Sequence, residues 1–198
     1  MVDLSKSIEF NFKGSNKEKK QIILAESKRN IKDYINSLKY RYNKKNPYLP
    51  NFIISKNGEI FKIMSEEKYS EFIRIKDVDK NSIIIVLENL GCLKKNPLEN
   101  CYINWIGDIY KGVKVFEKNW RDEIFWDTYT NEQMTSLVNL VNIICKEFNI
   151  PKDTIGHNVK SEEVSSFKGV VSKSNYDTLF KDVNPSFDFK FLEKQLQK

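Results

Sequence analysis

Histidine is nearly absent from this chain. His157, in "NIPKDTIGHNVK", is the only one in 198 residues. Three roles are open to it: a metal ligand, a proton carrier, or the remnant of a site that once had both. Cysteine is scarce too. Cys92, Cys101 and Cys145 are odd in number and lack CxxC spacing, which argues against a disulfide scaffold and a cysteine-based zinc site and suits a reducing cytoplasm. The longest apolar run lies in "SIIIVL" at 82–87, far too short to cross a bilayer, so no membrane span is expected. The first twenty residues mix charges with apolar positions and contain no h-region. No signal peptide is therefore expected, and the expected location is the cytoplasm of the producing cell or a virion. Internal repeats and a low-complexity tail are also missing.

What is present is an ordinary globular composition, 40% hydrophobic and 13% aromatic, long enough for one domain with a substantial core. The net charge of +6 would suit an anionic partner such as nucleic acid or a cell-wall polymer. The Lys, Ile and Asn bias pervades the whole chain, however, as an AT-rich genome produces, so no specific nucleic-acid partner is expected.

Several stretches carry clear local signals. "SIEFNFKG" (7–14) alternates and reads as a first strand. Helical spacing from Lys17 to Tyr42 suggests a helix whose exposed face, with Lys17, Lys19, Lys20, Lys28 and Lys32, is basic. "NFIISKNGEIFKIM" (51–64) is a hairpin signal, because Asn57-Gly58 supplies positive φ angles between two β-branched runs. "NSIIIVLEN" (81–89) reads as a central strand covered on both faces. Residues 92–128 show little periodicity yet hold Trp105, Trp120 and Trp126, as expected of a long ordered insertion pinned by aromatics. Sugar stacking is the alternative role for these rings. "TNEQMTSLVNLVNIICKEFNI" (130–150) is a strong helix, with Thr130 as N-cap, Gln133 at the capping-box position and Cys145 on its apolar stripe. Pro151 ends it, and "TIGHNV" reads as a short strand. Phe187, Phe189, Phe191 and Leu192 are placed to pin the C-terminus to the core.

The order helix, "IPKDTIGHNV", loop, "KDVNPSFDFKFL" resembles the zinc-dependent N-acetylmuramoyl-L-alanine amidases, which share a fold with animal peptidoglycan recognition proteins. "PNFIISKNGEIFKI" looks like the family's central hairpin, and "NSIIIVLENLG" like its next strand. "CYINWIGDIY", "KNWRDEIFWDTYTNEQ" and "FKGVVSKSNYDTLFKDVNPSF" are similar to a phage-borne branch. The resemblance implies an α/β fold, a central mixed sheet flanked by helices, in one amidase-like domain over residues 1–198.

The resemblance also implies a site. Family enzymes hold Zn²⁺ with two histidines and a third ligand, and the metal polarises the scissile amide and lowers the pKa of a bound water. Carried over, His157 matches the second histidine, the first-strand position falls on Asn11, and the third ligand falls on Asn184. Asp182 stays a candidate ligand, and a water-activating tyrosine aligns near Pro50. Neutral amides are poor zinc ligands. The expectation is thus a vestigial cleft of Asn11, His157, Asp182 and Asn184, with His157 bonded to Asn11 or Asn184. No catalytic residue and no cofactor are expected. The implied function is a catalytically degenerate amidase-fold protein of phage origin, a structural virion component or a binding module whose partners are virion or phage proteins or peptidoglycan. The alternative is an active amidase hydrolysing peptidoglycan with an atypical zinc site that includes His157 and Asp182.

Overall fold

The computed structural model describes residues 1–4, 14–43 and 48–198. Its elements run β1 (Val2–Asp3), β2 (Gly14–Ser15), β3 (Gln21–Glu26), α1 (Ile31–Asn43), β4 (Phe52–Ile54), β5 (Ile60–Lys62), β6 (Lys68–Tyr69), α2 (Lys76–Asn81) and β7 (Ser82–Leu87). There follow β8 (Cys92–Asn96), β9 (Cys101–Ile103), β10 (Phe116–Trp120), β11 (Glu123–Trp126), α3 (Asn131–Phe148), β12 (Gly169–Ser172) and α4 (Phe189–Leu196). The central sheet has the order β1-β5-β4-β7-β3-β12. It is mixed: β4 and β5 form an antiparallel hairpin, while β4, β7, β3 and β12 run parallel.

At the middle of this sheet β3 and β7 pair from Gln21↔Ser82 to Glu26↔Leu87, and all twelve residues are buried. A strand sandwiched between two helical layers needs apolar side chains on both faces, which "IILA" and "IIIVL" provide. Ile22, Leu24, Ile83 and Ile85 pack with Leu137, Val141, Ile144, Leu192 and Leu196 of α3 and α4. Ile23, Ala25, Ile84 and Val86 pack on the opposite face with Tyr34 and Leu38 of α1 and Val78 of α2. Burying each of these aliphatic side chains is worth about 1.5–3 kcal/mol.

The helix expected over 17–42 is therefore two elements. Residues 21–26 form a strand, because the parallel ladders of β7 and β12 take up their backbone groups. The helix starts only at Ile31, where Asn30 Oδ1 accepts the Asp33 N–H (3.0 Å) and Glu88 Oε1 accepts that of Ile31 (2.7 Å). The basic helix face dissolves with it: Lys19 is buried and donates to the Lys80 and Ser82 carbonyls, and Lys28 lies beyond the end of β3. Most of the strand expected over 7–14 lies outside the described residues; Gly14–Ser15 pairs with β6.

Other expectations hold. The Asn57-Gly58 turn closes β4 on β5, with Gly58 at φ +81° and its N–H on the Ser55 carbonyl. A Cβ there would come within 2.8 Å of the Glu132 carbonyl, so α3 packs directly on the turn. Thr130 caps α3 by accepting the Gln133 N–H, and Asn149 in the left-handed region ends it. Gln133 does not close a capping box; its amide turns inward and donates to the Ile54 and Glu88 carbonyls, tying α3 to the ends of β4 and β7. Phe187, Leu192 and Leu196 enter the core, with Phe189 and Phe191 packed against it.

Residues 92–126 form a second sheet, β10-β11-β8-β9, antiparallel throughout. Trp126 is fully buried and meets Trp120 edge to face at 5.4 Å, and Tyr102 meets Phe125 at 5.1 Å. Core packing thus accounts for two of the three tryptophans. Trp105 is different. It is 56% exposed.

Candidate functional site

Parallel strands end together, and their C-terminal ends open onto a groove. The cavity is about 740 Å³ and is lined by Glu26, Lys28 and Arg29 after β3, Lys173 after β12, Asp182 from the loop before α4, and aromatic rings at the rim.

Glu26, the last residue of β3, is 5% exposed. Its Oε1 accepts from the Tyr129 hydroxyl and from the Asn184 N–H (2.6 Å). Its Oε2 is buried with no partner among the described residues. Burial, and then the neighbouring Asp182 carboxylate, push the Glu26 pKa up to about 8, against the opposing pull of Lys28. Tyr129 is pushed well above the phenolic range by its own burial and by Glu26.

The Lys28 ammonium sits 2.6 Å from Asp182 Oδ1, and Lys173 lies 3.9 Å from Oδ2. Burial draws the Lys28 pKa down, but Asp182 and Glu26 outweigh it and the net shift is upward. Asn184 is fully committed. Its Nδ2 donates to Asn89 Oδ1 (3.0 Å) and the Asp127 carbonyl (3.1 Å), while its Oδ1 accepts from the Ser186 N–H (2.8 Å) and hydroxyl (2.7 Å).

Of the residues expected at this site, Asp182 lines the groove, while Asn184 is fully buried and reaches it only through its backbone N–H on Glu26 Oε1. Asn11 lies outside the described residues. His157 is exposed, its Nδ1 accepts from the Val159 N–H (3.2 Å), and it makes no bond to Asn184. "TIGHNV" is not a strand beyond one bridge, Thr154↔Val170, on the outer side of β12. The strand that lies beside β3 and ends at the groove is Gly169–Ser172, so Lys173 stands there instead. Pro50 is buried, and Tyr48, two residues earlier, lines the groove. Sequence reasoning missed Glu26 and Lys28. The signal available was "IILA", a short version of the continuous apolar run that marked β7.

This groove at the strand ends, on a mixed sheet flanked by helices, defines the class. Residues 16–169 match the family model for N-acetylmuramoyl-L-alanine amidase, Amidase_2, and the chain belongs to that family. Members are typically zinc-dependent. Among solved structures it is similar to the N-acetylmuramyl-L-alanine amidase AmiD from E. coli, in complex with anhydro-N-acetylmuramic acid-L-Ala-D-gamma-Glu-L-Lys. The TM-score is 0.58 at 14% identity over 94% of this chain. The chain spans 60% of that protein's length. It is also similar to the endolysin amidase LysCS from Clostridium intestinale URNW (TM-score 0.56, 13% identity, 99% of this chain and 94% of that one). The endolysin of bacteriophage Ph2119 from Thermus scotoductus MAT2119 aligns with TM-score 0.54 at 8% identity, over 100% of this chain and 99% of that one. Among curated protein sequences there is no match.

Asp182 and the buried Asn184 do not fit the family's zinc. The Asn184 amide oxygen already accepts two hydrogen bonds, and Asp182 is held by an ammonium. A cation approaching Asp182 would have to displace Lys28 first. Among the described residues no three His, Cys, Asp or Glu side chains converge, and none of the described helices is long and apolar enough to cross a membrane.

Proposed function

We propose that this chain is an amidase-fold protein whose catalytic centre is replaced by an internal ion-pair network, and that the whole chain acts as a binding or structural module. Its partners on this reading are virion or phage proteins or peptidoglycan, and it carries no zinc. One observation supports this most directly: the Lys28 ammonium lies 2.6 Å from Asp182 at the end of the central strand. A lysine supplies the positive charge that a divalent ion would bring, yet it cannot lower the pKa of a bound water as a metal does. A buried carboxylate beside it is neutralised from within the chain.

The competing reading, an active amidase with an atypical zinc site, draws support from the unpartnered Glu26 Oε2 close to Asp182. Elemental analysis of the purified protein and turnover of purified peptidoglycan separate the two. Sub-stoichiometric zinc and no release of stem peptide are expected. About one zinc per chain together with chelator-sensitive turnover would establish the competing reading.

A further inference from the structure

The exposed apolar side chains of this chain are not spread evenly. Leu98, Trp105, Ile106, Ile109, Val113 and Ile124 all stand open to solvent, and all belong to the insertion that carries the second sheet. Register sets several of its residues side by side. Lys94 pairs with Ile103, and Ile103 bridges to Ile109. The pairing of Phe125 with Leu93, carried one step along the antiparallel ladder, places Ile124 beside Lys94. Directly opposed residues point to the same face of a sheet, so Ile124, Lys94, Ile103 and Ile109 form one row. Val113, fully exposed, lines the same cavity as Ile109 and Lys111.

The row is held in place before any partner arrives. The chain turns back between Ile103 and Ile109 through Asn104, whose N–H donates to the Asp108 carbonyl (3.0 Å) and whose Oδ1 accepts the Asp108 N–H (2.8 Å). Little order remains to be gained on binding. Between residues 92 and 114 four lysines stand against two acids, and one of those acids, Asp108, already takes the Asn104 amide (3.1 Å). Lys94, Lys111 and Lys114 are exposed, and none has a carboxylate within ion-pair distance among the described residues.

A partner for this face must be apolar enough for isoleucine and valine and anionic beside them for lysine. The core of a protein interface is depleted in lysine. A polyanion such as nucleic acid or a wall polymer brings charge without an apolar layer. A bilayer brings both, acyl chains beneath a layer of phosphate, and a lysine stem spans the two levels. We infer that this face of the second sheet docks on an anionic membrane surface, with Ile109, Val113 and Ile124 entering the headgroup boundary and Lys94, Lys111 and Lys114 meeting lipid phosphates. The inference does not depend on whether the groove floor is silent, since it uses none of Glu26, Lys28 or Asp182.

Flotation of the full chain with large unilamellar vesicles tests it. Vesicles of equimolar phosphatidylcholine and phosphatidylglycerol should carry the protein, pure phosphatidylcholine should not, and added salt should weaken binding. Lys94→Gln should lower the partition coefficient about fivefold, whereas Lys146→Gln, an equal loss of charge on α3, leaves it unchanged. Ile109→Ser and Ile124→Ser alter no charge and should each lower it at least threefold, while Ile143→Ser, at a similarly exposed position on α3, leaves it unchanged. All these positions are at the surface, and near-ultraviolet circular dichroism should show every variant folded. No flotation, equal flotation with neutral vesicles, or equal losses in the two α3 controls would overturn the proposal. So would indifference to both insertion isoleucines, which would leave only the adhesion of a basic protein to a polyanion.

Discussion

The floor and the rim of one groove handle charge in opposite ways. At the floor, Asp182 is matched by Lys28 and Lys173, Asn184 spends both ends of its amide, and Glu26 is shut away from water. At the rim, Arg29 lies over the Trp105 ring and Arg74 over the Tyr48 ring, and among the described residues neither forms an ion pair. Charge is settled between side chains of the chain at the floor and against aromatic faces at the rim.

The comparison can be broken first at the floor. Lys28→Ala leaves Asp182 with only the more distant Lys173, and an uncompensated buried charge of this kind costs about 3 kcal/mol. Urea denaturation should show that loss, and adding Asp182→Asn should restore most of it, since the cost belongs to the stranded charge. A loss that persists in the double variant would show that Lys28 acts through packing instead.

A smaller effect comes with pH. The Glu26 pKa is raised from 4.5 to about 8 in the folded chain, so the folded state holds its proton more tightly than the unfolded state does. The stability this brings is fully present below pH 4.5 and is lost as pH rises through 8. Asp79, raised to about 6 by burial, acts in the same direction at lower pH. Between pH 6 and 8 the Glu26 contribution should remove about 2 kcal/mol. Glu26→Gln, which keeps an acceptor for Tyr129 and Asn184, should flatten the profile in that window. An unchanged slope in the variant would assign the titration to another group.

The third test moves to the support of the rim. Asp79→Ala strands the N–H groups of Ile73 and Arg74 and should cost about 1–2 kcal/mol of stability. The smallest structural effect belongs to the rim itself: Arg29→Ala should change stability by less than about 0.5 kcal/mol, as surface substitutions do. A large destabilisation by Arg29→Ala would erase the distinction between the two regions.

How far the sequence reached follows from the same contrast. β7, the Asn57-Gly58 hairpin, α3 and the C-terminal phenylalanines each carry a local signature that tertiary packing then used. β3 has only four consecutive apolar residues inside a lysine-rich stretch, and Ile22 and Ile23 fit a helical spacing as well as a strand. The expected first-strand position, Asn11, lies outside the described residues, and the described strand that ends at the groove ends in Glu26. His157 misled for a related reason. "IGHNV" has the residue type and the spacing, but Gly169–Ser172 is the segment that pairs with β3.

The sequence by itself determined the α/β class and the order of most elements, because periodicity, turn residues and motif order are local properties. Only the tertiary structure decided which strand borders β3, that Lys28 reaches Asp182 across more than 150 residues of chain, and that Arg29 and Arg74 share a groove. Those facts depend on strand pairing and on loops converging at the sheet's end, and no local pattern encodes which distant polar side chains will meet there.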